Sequence, residues 1–214
     1  MTPAPKAANA TEHDSRRALR EKLIVAREAA AAPLRAQWEA AIREHLANLL
    51  AALAPQVVGW CWPFRGEPDL RPLLANWLAG SPRHRAVLPV VAGAGQALQF
   101  RQWTATTPMR EDRYGIPTPT EGALLQPEVL LIPVNAFDAA GHRLGYGAGY
   151  FDRTLAALAP RPLAVGVGFE LARVADLRPQ AHDQPLDYVA TEAGLFRRRQ
   201  GWLAPLPEGD RFHG

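Results

Sequence analysis

The residues most suggestive of chemistry lie in one stretch, Pro133-Val134-Asn135-Ala136-Phe137-Asp138-Ala139-Ala140-Gly141-His142-Arg143-Leu144-Gly145-Tyr146-Gly147-Ala148-Gly149-Tyr150-Phe151-Asp152-Arg153. Three glycines alternate at 145, 147 and 149, between a segment that reads as a strand and one that reads as a helix. Glycine lets successive backbone amides turn inward into a nest for an anion. The helix that follows adds its positive N-terminal end, which favours phosphate. Arg143 and Arg153 bracket the loop with fixed positive charge. The spacing is not that of a Walker loop, which needs Gly-Lys-Ser/Thr, nor that of a dinucleotide fingerprint. Alternating glycines alone suit a turn that holds nothing as well as they suit a phosphate loop. Arg16 and Arg20, four residues apart, share one helix face and can reach the same anion; a solvated basic face is the other reading.

The elements around these residues alternate in type. Residues 1–14 read as a disordered lead-in rich in Ala, Pro and Thr. A helix follows from Ser15 to Ala30, capped by Asp14 or Ser15, with Leu19, Leu23 and Ala26 at helical spacing. A second runs from Pro33 to Leu53. Val57 to Trp62 is a short buried strand. Asp69 opens a helix that Gly80 ends. Ala86 to Val91 and Leu98 to Trp103 read as strands, and Thr104 to Pro127 as a long functional or mobile loop. Val129 to Val134 is the clearest buried strand. Phe151 to Leu158 reads as a helix, and Leu163 to Phe169 and Asp187 to Thr191 as strands. This alternation predicts an α/β single domain over residues 15–200: a largely parallel sheet flanked by helices, Rossmann-like and three-layered, with an N-terminal helical segment and a tail from 201 to 214.

The chain has 214 residues, 48% hydrophobic and 21% charged, and so can bury a core without staples. Its one cysteine, Cys61, excludes an internal disulfide and reads as a buried small hydrophobe. No apolar run reaches the roughly 18 residues of a membrane helix, and Met1 to Asp14 lacks the apolar core of a signal peptide. A cytoplasmic monomer with no membrane partner is expected. The net charge of +3 leaves only Arg16-Arg17 and Arg197-Arg198-Arg199 as dense basic runs, so no nucleic-acid partner is expected either.

The whole string from Pro133 to Arg153 closely resembles the signature of the 5-formyltetrahydrofolate cyclo-ligase family, in which Phe-Asp, Gly-x-Arg-Leu-Gly-x-Gly-x-Gly, two aromatics and Asp-Arg are the fixed elements. The resemblance spans roughly residues 15 to 192. It includes Arg16-Arg17-Ala18-Leu19-Arg20, Pro63 to Asp69 with Glu67, Phe100 with Trp103, Tyr114-Gly115-Ile116-Pro117 and His182-Asp183-Gln184-Pro185-Leu186-Asp187. This chain departs from the family pattern at Arg16, usually lysine, and at Ala172, Thr118 and Arg178, where glutamine, glutamate and proline are common.

The resemblance implies ATP as co-substrate and Mg²⁺ as metal, with formyl-folate as the second small-molecule substrate. It implies ATP binding by Arg16, Arg17, Ala18, Leu19 and Arg20 and by Arg143, Leu144, Gly145, Tyr146, Gly147, Ala148, Gly149, Tyr150 and Phe151. Folate would meet Trp62, Glu67 and the loop residues Tyr146, Gly147, Ala148, Gly149 and Tyr150. Glu67 would serve the pterin as a charge-assisted acceptor. Asp152 and Asp183 would hold the magnesium. Arg143 and Tyr150 would be catalytic. A non-catalytic folate- or nucleotide-binding relative is the alternative.

Overall fold

The computed structural model describes residues 5–206, with side chains described from residue 14 onward. Helices α1 (Pro5–Glu28) and α2 (Ala32–Leu53) precede β1 (Val57–Gly59), α3 (Arg71–Ala79), β2 (Arg85–Val91) and β3 (Leu98–Trp103). Then come β4 (Met109–Glu111), β5 (Pro117–Pro119), β6 (Val129–Pro133), β7 (Ala136–Asp138), β8 (Arg143–Leu144) and α4 (Tyr150–Ala157). β9 (Leu163–Val167), β10 (Arg173–Val174), β11 (Tyr188–Thr191), β12 (Gly194–Arg199) and β13 (Trp202–Pro205) complete the chain.

Eight strands form one sheet in the order β13-β12-β11-β9-β6-β1-β2-β3. The five central strands, β11 to β2, pair in parallel, while β3, β12 and β13 add antiparallel edges. β6 shows why the layers form. Its side chains alternate between faces, and both faces are covered, so the strand is apolar throughout. Val129 and Leu131 pack with Ile42 and Leu46 of α2 and with Leu73 and Leu74 of α3. Leu130 and Ile132 pack on the other side with Leu155 of α4. Each such fully buried aliphatic side chain contributes about 2 kcal/mol. The α/β, three-layer reading is therefore the observed one.

Three local expectations are corrected. α1 starts at Pro5 and runs through Asp14 and Ser15, so neither caps it and the lead-in is helical from residue 5. The alanine-rich start has high helix propensity, with proline suited to the first turn and no breaker after it. Residues 1–4 and 207–214 lie outside the described residues. The stretch from 104 to 127 contains a small hairpin, β4 with β5; Asp112 Oδ1 accepts from Tyr114 N and Ile116 N to make its turn. The boundary at 200 cuts a second hairpin, since β13 pairs with β12. No helix among the described residues is long and apolar enough to cross a membrane.

The strand order reverses between β1 and β6. The chain goes from β1 outward to β2 and β3, then returns to β6 and proceeds the opposite way. In open α/β sheets, the crevice at the carboxyl ends of strands flanking such a reversal is the usual ligand site. The segments leaving β1 and β6 carry Glu67 and the glycine loop.

Candidate active site

β6 leads into the small sheet of β10, β7 and β8, which aims the glycine loop back across the crevice. Asp138 organises this turn: Oδ1 accepts from Ala140 N and His142 N, and Oδ2 accepts from Leu177 N. Its carboxylate is 2% exposed and structural. Arg143 follows, 7% exposed. Its Nη2 donates to Asp152 Oδ1 at 2.7 Å and its Nη1 to the Gln184 carbonyl at 2.6 Å. Burial lowers the Arg143 pKa while Asp152 opposes that shift; the ion pair keeps a buried guanidinium charged.

The loop from 145 to 149 then runs along the surface. Gly147 has φ +95° and Gly149 φ +65°, a region that favours glycine. A Cβ on Gly147 would also meet Arg20 Nη2 at 3.1 Å. Arg20 Nε donates to the Gly145 carbonyl at 2.7 Å. Helix α1 carries Arg20 there because Leu19 and Leu23 pack against Ala136, Leu144 and Leu177. Arg16, one turn earlier, donates to Asp183 Oδ2 at 3.2 Å from both Nη1 and Nη2. Burial and then the Arg16 charge depress the Arg20 pKa. Cations held this close are relieved by an anion.

Asp152 and Asp183 converge. Asp152 Oδ1 accepts from the backbone N of Gln184, the residue after Asp183, and Asp183 Oδ2 accepts from Gln180 N. Each thus spends one oxygen on protein donors. Asp152 Oδ2 has no hydrogen bond among the described residues, and Asp183 Oδ1 lies 3.8 Å from His182 Nε2. No group of three or more His, Cys, Asp or Glu stands together among the described residues. Two carboxylates with free oxygens fit Mg²⁺, which takes few protein ligands and completes its shell with phosphate and water.

On the β1 side, Glu67 is 6% exposed. Its Oε2 accepts from Phe64 N at 3.0 Å and its Oε1 from the Tyr146 hydroxyl at 2.8 Å. Burial raises its pKa to about 7, against the pull of Arg27 and these two hydrogen bonds. Arg65, its neighbour in sequence, pairs instead with Glu28 and Glu21. Trp62 is partly buried against Trp60 and Trp103, with the Arg71 guanidinium 5.2 Å from its ring centre.

The other residues that the family resemblance implies differ in exposure and contacts. Arg17 pairs with Asp14 at 3.7 Å, with 69% of its side chain exposed. Ala18 is exposed. Leu19, Leu144 and Phe151 pack into apolar clusters. The Tyr150 ring packs partly into the core and its hydroxyl accepts from Arg113 Nη2 at 2.6 Å. Cys61 is partly buried, and burial pushes its thiol well up. Of the departures, Ala172 is core, Thr118 Oγ1 donates to the Ile116 carbonyl, and Arg178 adopts φ +49°.

Sequence reasoning missed Arg27, Asn135 and Arg113. Arg27 had a signal: it lies two turns after Arg20, on the face already assigned to Arg16 and Arg20. Asn135 lies in the Pro133–Arg153 string, where nothing about its type or spacing sets it apart. Arg113 sits in an aperiodic loop and had none.

The profile of the 5-formyltetrahydrofolate cyclo-ligase family matches residues 12–192. The chain is 28% identical over 158 residues to the 5-formyltetrahydrofolate cyclo-ligase of Haemophilus influenzae, covering 70% of this chain and 83% of the relative. It is 34% identical over 142 residues to the Escherichia coli K12 enzyme of the same name, covering 62% and 76%. The NMR structure of Aquifex aeolicus 5,10-methenyltetrahydrofolate synthetase superposes with a TM-score of 0.75 at 27% identity, over 92% of this chain and 99% of that one. The Mycoplasma pneumoniae synthetase, at 20% identity, shares the fold with a TM-score of 0.69 over 83% and 98%. With its profile matched from 12 to 192 and its glycine loop set at the strand reversal, the chain belongs to the 5-formyltetrahydrofolate cyclo-ligase family.

Proposed function

We propose that this protein closes 5-formyltetrahydrofolate to 5,10-methenyltetrahydrofolate at the expense of ATP, with Mg²⁺, releasing ADP and phosphate. One observation carries the reading: the glycine loop, Arg16, Arg20, Arg143 and the Asp152–Asp183 pair meet Glu67 where the strand order reverses. An anion site and a buried acceptor therefore share one crevice, as a two-substrate transfer needs.

In the proposed reaction the formyl oxygen attacks the γ-phosphorus of ATP and ADP leaves. The anilinic nitrogen then attacks the activated formyl carbon and gives up its proton, and phosphate departs with the former formyl oxygen and that proton. Little covalent work falls to the protein; it positions and neutralises. Arg20, tied to the Gly145 carbonyl, orders the loop whose amides meet the phosphates. Arg143 holds Asp152, and Arg16 holds Asp183, in fixed orientations. Asp152 and Asp183 would hold Mg²⁺, which would supply positive charge against that building on the transferred group. Trp62 and Tyr150 offer flat faces to the folate rings.

Purified protein given all three ligands should develop the near-ultraviolet absorbance of the methenyl product, and omitting any one should abolish it. No product at saturating ligand would leave a folate- or nucleotide-binding relative as the better account. Asp183→Asn should raise the Mg²⁺ concentration for half-maximal rate and lower turnover roughly a hundredfold; an unchanged magnesium titration would make Asp183 only a partner for Arg16. Arg20→Ala should weaken ATP about tenfold or more and leave folate within about twofold. Loss of folate affinity alone would take the α1 arginines out of the nucleotide site.

A further inference from the structure

A polar cluster of Arg27, Asn135, Tyr146 and Glu67 lies behind the glycine loop. Arg27 is 4% exposed. It donates from Nε to the Arg65 carbonyl at 3.0 Å, from Nη1 to Asn135 Oδ1 at 3.1 Å and from Nη2 to the Tyr146 hydroxyl at 3.2 Å. Asn135 is 2% exposed, and its Nδ2 is buried with no partner among the described residues. Arg27 fixes the orientation of that amide, because only the oxygen can accept from a guanidinium. A buried donor without an acceptor is destabilising, and its presence in a fold asks for a reason.

The Tyr146 hydroxyl stands between a donor and an acceptor. It accepts from Arg27 and donates to Glu67 Oε1. Its anchorage is slight. Tyr146 is 42% exposed and sits between Gly145, around which there is open space, and Gly147 at φ +95°. When the hydroxyl withdraws, it leaves an acceptor on Glu67 beside a donor on Arg27, with the spare Asn135 donor next to that arginine. An anionic ligand group would meet repulsion from Glu67. A neutral cyclic amide, with N–H next to C=O, matches both partners. Given the function proposed above, the pteridine ring of the folate supplies that edge.

We propose that Arg27 and Asn135 complete the folate pocket: Arg27 donates to the ring carbonyl beside the N–H that Glu67 accepts, Asn135 positions the guanidinium and offers Nδ2 to the same carbonyl side, and the Tyr146 hydroxyl holds the place until folate arrives. Arg27 thereby selects an oxo ring over an amino ring.

The test measures dissociation constants of the full chain for folic acid and for the analogue with an amino group in place of the ring carbonyl, alongside 5-formyltetrahydrofolate and ATP. The wild type should prefer the oxo ring by about tenfold, the value of one well-made hydrogen bond. Arg27→Gln should erase that preference. Asn135→Leu removes the orphan donor at similar volume but also the Oδ1 that accepts from Arg27 Nη1, so its thermal midpoint should fall modestly while the protein stays folded. Its formyl-folate affinity should fall about tenfold while ATP affinity stays. Should Arg27→Gln not fold, the wild-type preference and Asn135→Leu decide. Equal wild-type binding of the two rings, or unchanged folate affinity in Asn135→Leu, overturns the proposal and leaves the function above standing. A wild type that binds ATP but no folate overturns both.

Discussion

On the function proposed above, Arg143→Met is expected to lower kcat/KM roughly a hundredfold, the scale of losing the residue that orients a metal-holding carboxylate. It is also expected to cost about 3 kcal/mol of stability, near the lower end for breaking a buried ion pair, since Asp152 keeps 21% of its side chain exposed. For a chain of this size that is a fall of roughly 6–12 °C in Tm. Methionine replaces the buried stem but leaves Asp152 without its 2.7 Å donor and the Gln184 carbonyl without its 2.6 Å donor. Arg143→Lys cannot restore both, because an ammonium lacks the planar fork. The double variant Arg143→Met with Asp152→Asn separates the two losses. Stability should return in part, because the uncompensated carboxylate is gone, while activity should not. Activity recovering together with stability would mean that Arg143 only holds the fold.

Glu67→Gln should act in opposite directions on binding and on stability. Its carboxyl is raised from an ordinary 4.5 to about 7, chiefly by burial. A raised carboxyl favours the folded state in its protonated form, so this contribution is complete below the unfolded pKa and is lost as pH rises through about 7. Across the whole gap that amounts to about 3 kcal/mol. The wild type should therefore lose stability between pH 5 and 8 on this account, measured at about those values by denaturant titration, and Glu67→Gln should lack that slope. At the upper end of the range the variant should be the more stable protein. Folate binding should show the reverse order. An ionised Glu67 is the stronger acceptor, so wild-type folate affinity should fall as pH drops through about 7. The glutamine variant should bind roughly ten- to a hundredfold more weakly at high pH and show little pH dependence. Parallel pH–stability curves for the two proteins would mean that the groups around Glu67, namely Arg27 and the Tyr146 hydroxyl, keep it ionised throughout.

Both effects rest on links that no local pattern in the chain announces. The sequence by itself determined the layer architecture, because each layer writes its own period. Val129 to Val134 is apolar at every position since both faces of β6 are covered, and α2 repeats Ile42, Leu46, Leu49 and Leu50 on one face. It also determined where an anion loop can form. Gly145, Gly147 and Gly149 act through the backbone of one continuous segment, and Gly147 and Gly149 take the positive φ that glycine adopts without strain. Where local signals misled, the competing force was equally local: the alanine-rich start extends α1 past the polar residues that could have capped it.

Tertiary structure decided which charges meet. Asp183 belongs with Arg16, 167 residues away in the chain, and Arg20 with the Gly145 carbonyl, 125 residues away. Glu67 was legible as a candidate acceptor, yet its partner proved to be Tyr146 of the loop and its nearest cation Arg27, with Arg65 turned to Glu28. Arg27 and Asn135 entered the site only when α1 packed through Leu19 and Leu23 onto Ala136 and Leu144. The reason is physical. Periodicity and glycine placement act between residues a few positions apart, whereas a salt bridge or a raised pKa depends on distance and dielectric. Those quantities do not exist for a pair of residues until the sheet has closed and expelled the water between them.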